Sequence, residues 1–238
     1  MSVQRRLILA FCTVLAAAWN APAFALDDDP AKAPLARNEP RHHLLMQNKF
    51  VRIMRVVIPA GQATLWHEHN FDFFVVFVDG SKLHGDLTDK PAGVDVNAVS
   101  KSFGFVNYAG KHFVHRMHDV DSVVNHQLAF ELVAARPYGF TVGDRSAAAQ
   151  YKMELDNDRV RVWRLKLAPG EIADTITQKA PGVRFVLAGE RLTETRPDGR
   201  VDEKNVRSGD YAWMPDAAVR SLANVGTSPL ELLEIEIK

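Results

Sequence analysis

Apolar and β-branched residues fall in short blocks along this chain, separated by Gly, Pro, Asn and Asp, with almost no helical spacing between them. Residues 50–58 are β-branched and apolar with Arg52 and Arg55 interspersed, a strand pattern. Pro59-Ala60-Gly61 is a turn. Residues 65–78 read as one long strand closed by the hairpin-type pair Asp79-Gly80. Residues 81–101 are polar and turn-rich, and residues 102–108, 113–117 and 126–134 are further strands. A short helix is predicted only over residues 147–152. Short strands separated by turns at regular spacing predict an all-β barrel or sandwich.

The pattern also repeats. Asn48-Lys49-Phe50-Val51-Arg52-Ile53-Met54-Arg55 is echoed 109 residues later by Asn157-Asp158-Arg159-Val160-Arg161-Val162-Trp163-Arg164. At the same offset Gly61 meets Gly170 and Gly80 meets Gly189. A loop shorter by four residues changes the offset to 105, and Gly104 then meets Gly209, Gly110 meets Pro215 and Asp119 meets Asn224. Residues 127–132 meet residues 232–237. A register held over both turns and strands predicts two copies of one β-domain. The first is expected over residues 42–135 and the second over 151–238, with residues 136–150 as linker. Residues 26–41, rich in Asp, Pro, Ala and Lys, are expected to be a flexible lead-in.

The first 25 residues read as a cleaved secretory signal: Arg5 and Arg6, an apolar stretch over 7–19, and the cleavage site Ala23-Phe24-Ala25. The protein is therefore expected to be exported, with the periplasm as its destination. No second apolar span follows, so no stable membrane insertion of the mature chain is expected. Without the signal the chain carries 27 basic and 29 acidic residues, a net charge of −2, and no basic stripe that would suit nucleic acid. The partners expected are a small-molecule ligand or substrate and, for the chain itself, a homodimer. The single cysteine, Cys12, lies in the signal. The mature fold thus has no disulfide, and any metal site must use nitrogen and oxygen ligands.

Candidate chemistry is confined to the first copy, since all nine histidines lie between His42 and His126. In Trp66-His67-Glu68-His69 a strand would point His67 and His69 to one face, about 7 Å apart, where two imidazoles can converge on one metal ion. The parity of His67 is shared by Phe71, Phe73, Val75 and Phe77, expected to form an apolar wall. His42, His43, His84 and His126 read as surface or loop residues, and His118 as outward-facing.

These residues resemble the cupin superfamily, and the two copies resemble a bicupin. The family's first motif is Gly, five residues, His-x-His, three or four residues, Glu, six residues, Gly. Gly61, His67, His69 and Gly80 stand in those places. For the second motif Gly104, Gly110, His115 and Asp119 hold the corresponding positions, with His112 in place of a glycine. The resemblance implies two tandem β-barrels of the double-stranded β-helix type. It also implies one divalent transition metal (Fe, Mn, Ni, Cu or Zn) on His67, His69 and His115. Phe73 stands where the family places its glutamate. His112 and Asp72 are the candidates for a supporting or alternative ligand, although Asp72 has outward parity. In the second copy Ile176, Gln178, Gly182 and Arg220 occupy the four ligand places. Arg220 cannot ligate a cation, so that barrel is expected to be structural or to take a ligand without metal.

Function is less defined. The resemblance implies metal-dependent oxygen chemistry, of the dioxygenase kind, on a small organic substrate, with isomerase or lyase activity as the enzymatic rival. A non-catalytic module binding a metal or small ligand, or a structural protein with hydrogen-bonded histidine remnants, is the alternative from another class. No catalytic residue is legible.

Overall fold

Asn48 and Asn157, the first residues of the repeated octapeptide, do the same work in both copies. The Asn48 side-chain oxygen accepts from the backbone N–H groups of Phe50 and Val51 at 2.8 and 2.9 Å. That of Asn157 accepts from Arg159 and Val160, both at 2.8 Å. Such Asx turns reverse the chain locally and set the register of the strands on either side. The computed structural model describes residues 29–215 and 217–238. The expected signal over residues 1–25 lies outside the described residues.

The first half contains β1 (His42–Gln47), β2 (Val51–Ile58), β3 (His67–His69), β4 (Asp72–Asp79), β5 (Lys82–Leu87), β6 (Lys90–Asn97), β7 (Phe103–Val106), β8 (Phe113–Asp119) and β9 (Asn125–Leu132). The second contains β10 (Tyr151–Asp156), β11 (Val160–Leu167), β12 (Ile176–Gln178), β13 (Gly182–Ala188), β14 (Arg191–Thr195), β15 (Val201–Asn205), β16 (Tyr211–Met214), β17 (Ala218–Asn224) and β18 (Leu230–Ile237). Each half is an antiparallel two-sheet barrel. The orders are β1-β2-β9-β4-β7 with β3-β8-β5-β6, and β10-β11-β18-β13-β16 with β12-β17-β14-β15. Even the irregularities recur, with bulges at Leu44/Met46 and Met153/Leu155. Gly61 and Gly170 take positive φ of 70° and 78° at matching turns, where a Cβ would be strained.

The five-stranded sheets are buried on both faces. Met54, Val56 and Ile58 face the first barrel's interior, while Val51 and Ile53 face the other barrel. Phe74, Val76, Leu128, Phe130 and Leu132 join them there, against Val160, Val162, Val183, Phe185, Leu233, Ile235 and Ile237. At about 1.5–3 kcal/mol per fully buried apolar side chain, this shared core is a main tie between the halves.

The structure corrects several local expectations. The run over residues 65–78 is two strands, because the chain leaves one sheet at His69 and enters the other at Asp72. Asp79-Gly80 is therefore no hairpin: β4 and β5 lie in different sheets. Gly80 is instead a close approach, where a Cβ would come within 1.9 Å of the Ala98 carbonyl oxygen. The polar segment 81–101 forms the hairpin β5–β6, whose outer strand is largely exposed and so lacks an apolar run. Residues 147–152 form no helix; a turn there leads into β10.

The lead-in and linker are built into the barrels. Two short 3₁₀ turns, Pro30–Lys32 and Ala36–Asn38, precede β1. The Pro34 carbonyl accepts from Glu68 N–H at 2.8 Å, and Arg41 Nε donates to the Ala63 carbonyl at 2.7 Å. In the linker Arg145 is fully buried, its guanidinium paired with Glu234 and Glu236 inside the second barrel. The described part of the expected flexible lead-in, residues 29–41, carries backbone bonding and buried residues, Glu39 among them, that the site uses.

Candidate metal centre

β3 contributes His67 and His69 on one face, and the register sets His67 directly opposite His115 on β8. Ring centroids lie 4.4 Å apart for His67 and His115, and 5.0 Å apart for His69 with each of them. Nε2 of His69 and Nε2 of His115 face each other at 3.1 Å.

A fourth imidazole completes the cluster. His42, the first residue of β1, is buried with its ring 4.6 Å from that of His67 and 6.2 Å from that of His69. One nitrogen from each of His42, His67 and His69 falls within 4.8 Å of the others. The expectation that His42 is a surface residue is thus overturned. The apolar pattern could not reveal it, because β1 exposes Leu44 and hides His42. The repeat held the signal: carried back from Asn48 and Asn157, its offset sets His42 against Tyr151, the first residue of β10.

The bonds around these rings fix which nitrogens are free. His42 Nδ1 lies 2.6 Å from the buried Glu39 carboxylate, and His67 Nδ1 lies 2.8 Å from the Leu65 carbonyl oxygen. Both oxygens are acceptors, so both Nδ1 atoms carry hydrogen and both Nε2 lone pairs are left for a ligand. Glu39 also accepts from the N–H groups of Leu65 and Arg41 at 3.0 and 2.9 Å. Its burial works to raise its pKa, but the hydrogen bonds from His42 and the Leu65 N–H outweigh this and hold the group below its ordinary value. His69 Nδ1 has no hydrogen-bond partner among the described residues and lies 4.0 Å from Glu131, a carboxylate already paired with Arg52.

Burial, with His42 nearby, lowers the His67 pKa to about 3. Burial and the neighbouring imidazoles push His69 and His115 well below their ordinary value. Neutral imidazoles are the form a metal binds, so at neutral pH these three rings are in the ligating state.

The remaining candidates lie elsewhere. Asp72 turns out of the barrel, where its carboxylate meets Arg159 of the second half at 2.6 Å and accepts from Ala109 N–H at 2.9 Å. Strand parity is the cause: Phe73 points in, so its neighbour points out. His112 is 83% exposed and lies 2.6 Å from Glu68 on the outer surface. It occupies the turn before β8, one residue too early to share the inward face. Neither residue is placed to support the cluster. His118 bonds Asp86 at 2.7 Å.

Phe73, Val75 and Phe77 line a cavity of about 330 Å³ that the histidines close at one end. Phe73 abuts His69 with centroids 4.6 Å apart, and Tyr108 stacks on His69 at 5.3 Å. Phe71 lies outside the strand, under the Arg52 guanidinium. Most of the other lining residues are apolar, and Lys90 is the one cationic side chain among them.

In the second barrel Ile176 pairs with Arg220 as His67 pairs with His115, and Arg220 donates to Gln178. Arg220 and Arg184 converge on the buried Glu234 carboxylate. No imidazole is present, so a metal does not fit there.

Comparison with solved structures agrees with this architecture. AerE from Microcystis aeruginosa superposes with a TM-score of 0.55 at 12% identity, over 84% of this chain and 98% of its own. The oxalate decarboxylase of Lactobacillus farciminis, solved as a formate complex, gives 0.56 at 10%, over 82% and 83%. That of Bacillus subtilis, with Mn(II) centres, gives 0.55 at 11%, over 79% and 68%. The fold is that of the cupin superfamily. At these identities the likeness concerns the cupin fold alone. No protein-family model and no curated protein matches the chain.

The four imidazoles fit a divalent transition metal on their own chemistry. His42, His67 and His69 are buried and His115 partly so, three are held neutral, and two have their Nδ1 atoms committed to oxygen acceptors.

Proposed function

We propose that the first barrel of this cupin binds one divalent transition metal through His67, His69, His115 and His42, and presents it to a small organic molecule in the apolar cavity. The observation that carries this reading is the facing of the His69 and His115 Nε2 atoms, beside two further rings, His42 and His67, whose Nδ1 atoms are held from behind by Glu39 and the Leu65 carbonyl. Four neutral ligands leave the ion its full positive charge. That favours a molecule with an anionic or chelating oxygen head, while Phe73, Val75, Phe77 and Tyr108 suit an apolar body.

A bound metal of this kind supplies Lewis-acid charge and, if it is redox-active, electrons for oxygen chemistry. The chain's own contribution is positional. Glu39 and the Leu65 carbonyl hold two rings in orientation, Phe73 and Tyr108 wall off the His69 side, and the apolar lining excludes water around the reacting head. The reaction class we favour is dioxygenase-like oxidation. The proposal includes export, with residues 1–25 removed; N-terminal sequencing of the secreted form tests that part.

The deciding experiment is metal analysis of the purified protein beside the His67→Ala/His69→Ala double variant, followed by oxygen-uptake assays with apolar enols and phenols. Near-stoichiometric metal lost in the variant is expected. Metal-free protein after reconstitution would overturn the reading. Retained metal without any turnover would leave a binding module in place of an enzyme.

A further inference from the structure

The second barrel keeps the cavity of the first and changes its lining. The register that superposes the copies replaces His69 by Gln178, Val75 by Arg184, Tyr108 by Trp213 and His115 by Arg220. All four residues line one cavity of about 480 Å³. Where the first barrel offers imidazole nitrogens and hydrocarbon, the second offers guanidinium groups.

Arg184 and Arg220 are 4% and 3% exposed. Each spends most of its donors internally. Arg184 donates to Glu234 at 2.6 Å and to Glu194 at 3.1 Å, and Arg220 donates to Gln178 at 2.5 Å and to Glu234 at 3.1 Å. Yet Arg184 Nη2 and Arg220 Nε have no hydrogen-bond partner among the described residues. Glu194, 3.9 Å from Arg220 Nε, is out of bonding range. Unmet N–H groups on two buried cations beside an open cavity are costly unless something accepts from them.

Charge narrows what that is. The three buried guanidiniums of Arg145, Arg184 and Arg220 are balanced by the carboxylates of Glu194, Glu234 and Glu236. At the rim Arg196 shares Asp202 with Arg200, and Lys204 adds a further positive charge, so the mouth of the cavity is net positive. A negatively charged group suits this balance. The other walls include Trp213, Met214, Pro215 and Val219, an apolar surface for an organic body.

We infer that the second barrel is a binding site for a small organic monocarboxylate, its oxygens taken by Arg184 and Arg220 and its body laid against Trp213. Such a site needs no metal and is independent of the histidine centre.

Calorimetric titration of the full chain with benzoate tests this, with benzamide as the neutral isostere and inorganic phosphate as the non-organic anion. One benzoate per chain is expected, with benzamide and phosphate each at least tenfold weaker. Binding should survive in His67→Ala/His69→Ala and weaken severalfold in Lys204→Ala, an exposed change that leaves the buried network intact. Arg220→Gln should abolish it if that variant folds. Absence of benzoate binding, equal binding of benzamide or phosphate, or loss of binding in the histidine variant would each overturn the assignment.

Discussion

His42 Nδ1 and the Glu39 carboxylate lie 2.6 Å apart, both buried, three residues from one another on the segment that enters the first strand. The ring is thereby aimed from behind, as metal-bound imidazoles are in carboxylate–histidine pairs. Glu39→Gln keeps the shape and removes the charge. It should lower affinity for Co(II) or Zn(II) by about 10–100-fold in chelator competition, and His42→Ala should lower it at least as much. Unchanged affinity in both variants would remove His42 from the ligand set.

The depressed pKa of His67 ties stability to pH. Unfolded, this imidazole takes its proton near pH 6.5; folded, only near pH 3. Between those values the unfolded chain binds more protons, so acid favours unfolding. The stabilisation is complete above about pH 6.5 and is lost as pH falls toward 3, at up to about 1.4 kcal/mol per pH unit for this one group. Urea unfolding of chelator-treated protein should show the loss between pH 7 and pH 5, and His67→Asn should remove about 2 kcal/mol of it. An identical pH profile in both proteins would show that His67 is not buried neutral.

Asp72 separates ligation from architecture. Its ion pair with Arg159 joins the two halves and is buried on both sides. Asp72→Asn should destabilise the protein by about 3 kcal/mol, the scale for breaking a buried pair, while leaving metal stoichiometry untouched. Loss of metal from a variant that stays folded would return Asp72 to the site.

Glu234 is the hub of the second barrel. Burial opposes its charge, but Arg220, Arg184 and Arg145 hold its pKa well below the ordinary carboxylate value. Glu234→Gln leaves three buried guanidiniums short of a counter-charge and should cost about 3–5 kcal/mol in denaturant unfolding. A near-wild-type midpoint would mean that solvent or another group compensates.

Much of the fold was legible because the sequence carries it twice. Asn48 and Asn157, Gly61 and Gly170, and Asp119 and Asn224 mark turns that the backbone requires at matching places, and such requirements survive as residue identities. The β5–β6 hairpin escaped notice because β6 is an exposed edge whose polar side chains leave no alternation to read. His67, His69 and His115 were visible as spaced histidines. His42 and Glu39 were not, since they reach the cluster through the lead-in, and no local pattern says which strand end will close over a barrel. Arg220 announced that the second copy had lost its metal, but the partners of its guanidinium come from strands far apart in sequence.

The apolar face shared by the five-stranded sheets has a consequence for how this chain can be divided. Cutting it between the barrels would leave each fragment with a sheet of valine, isoleucine, leucine and phenylalanine turned to water. The tandem copies are therefore not independent beads on a string. Expressed apart, the fragments should aggregate; expressed together, they should reassemble by complementation, with the cut linker between them.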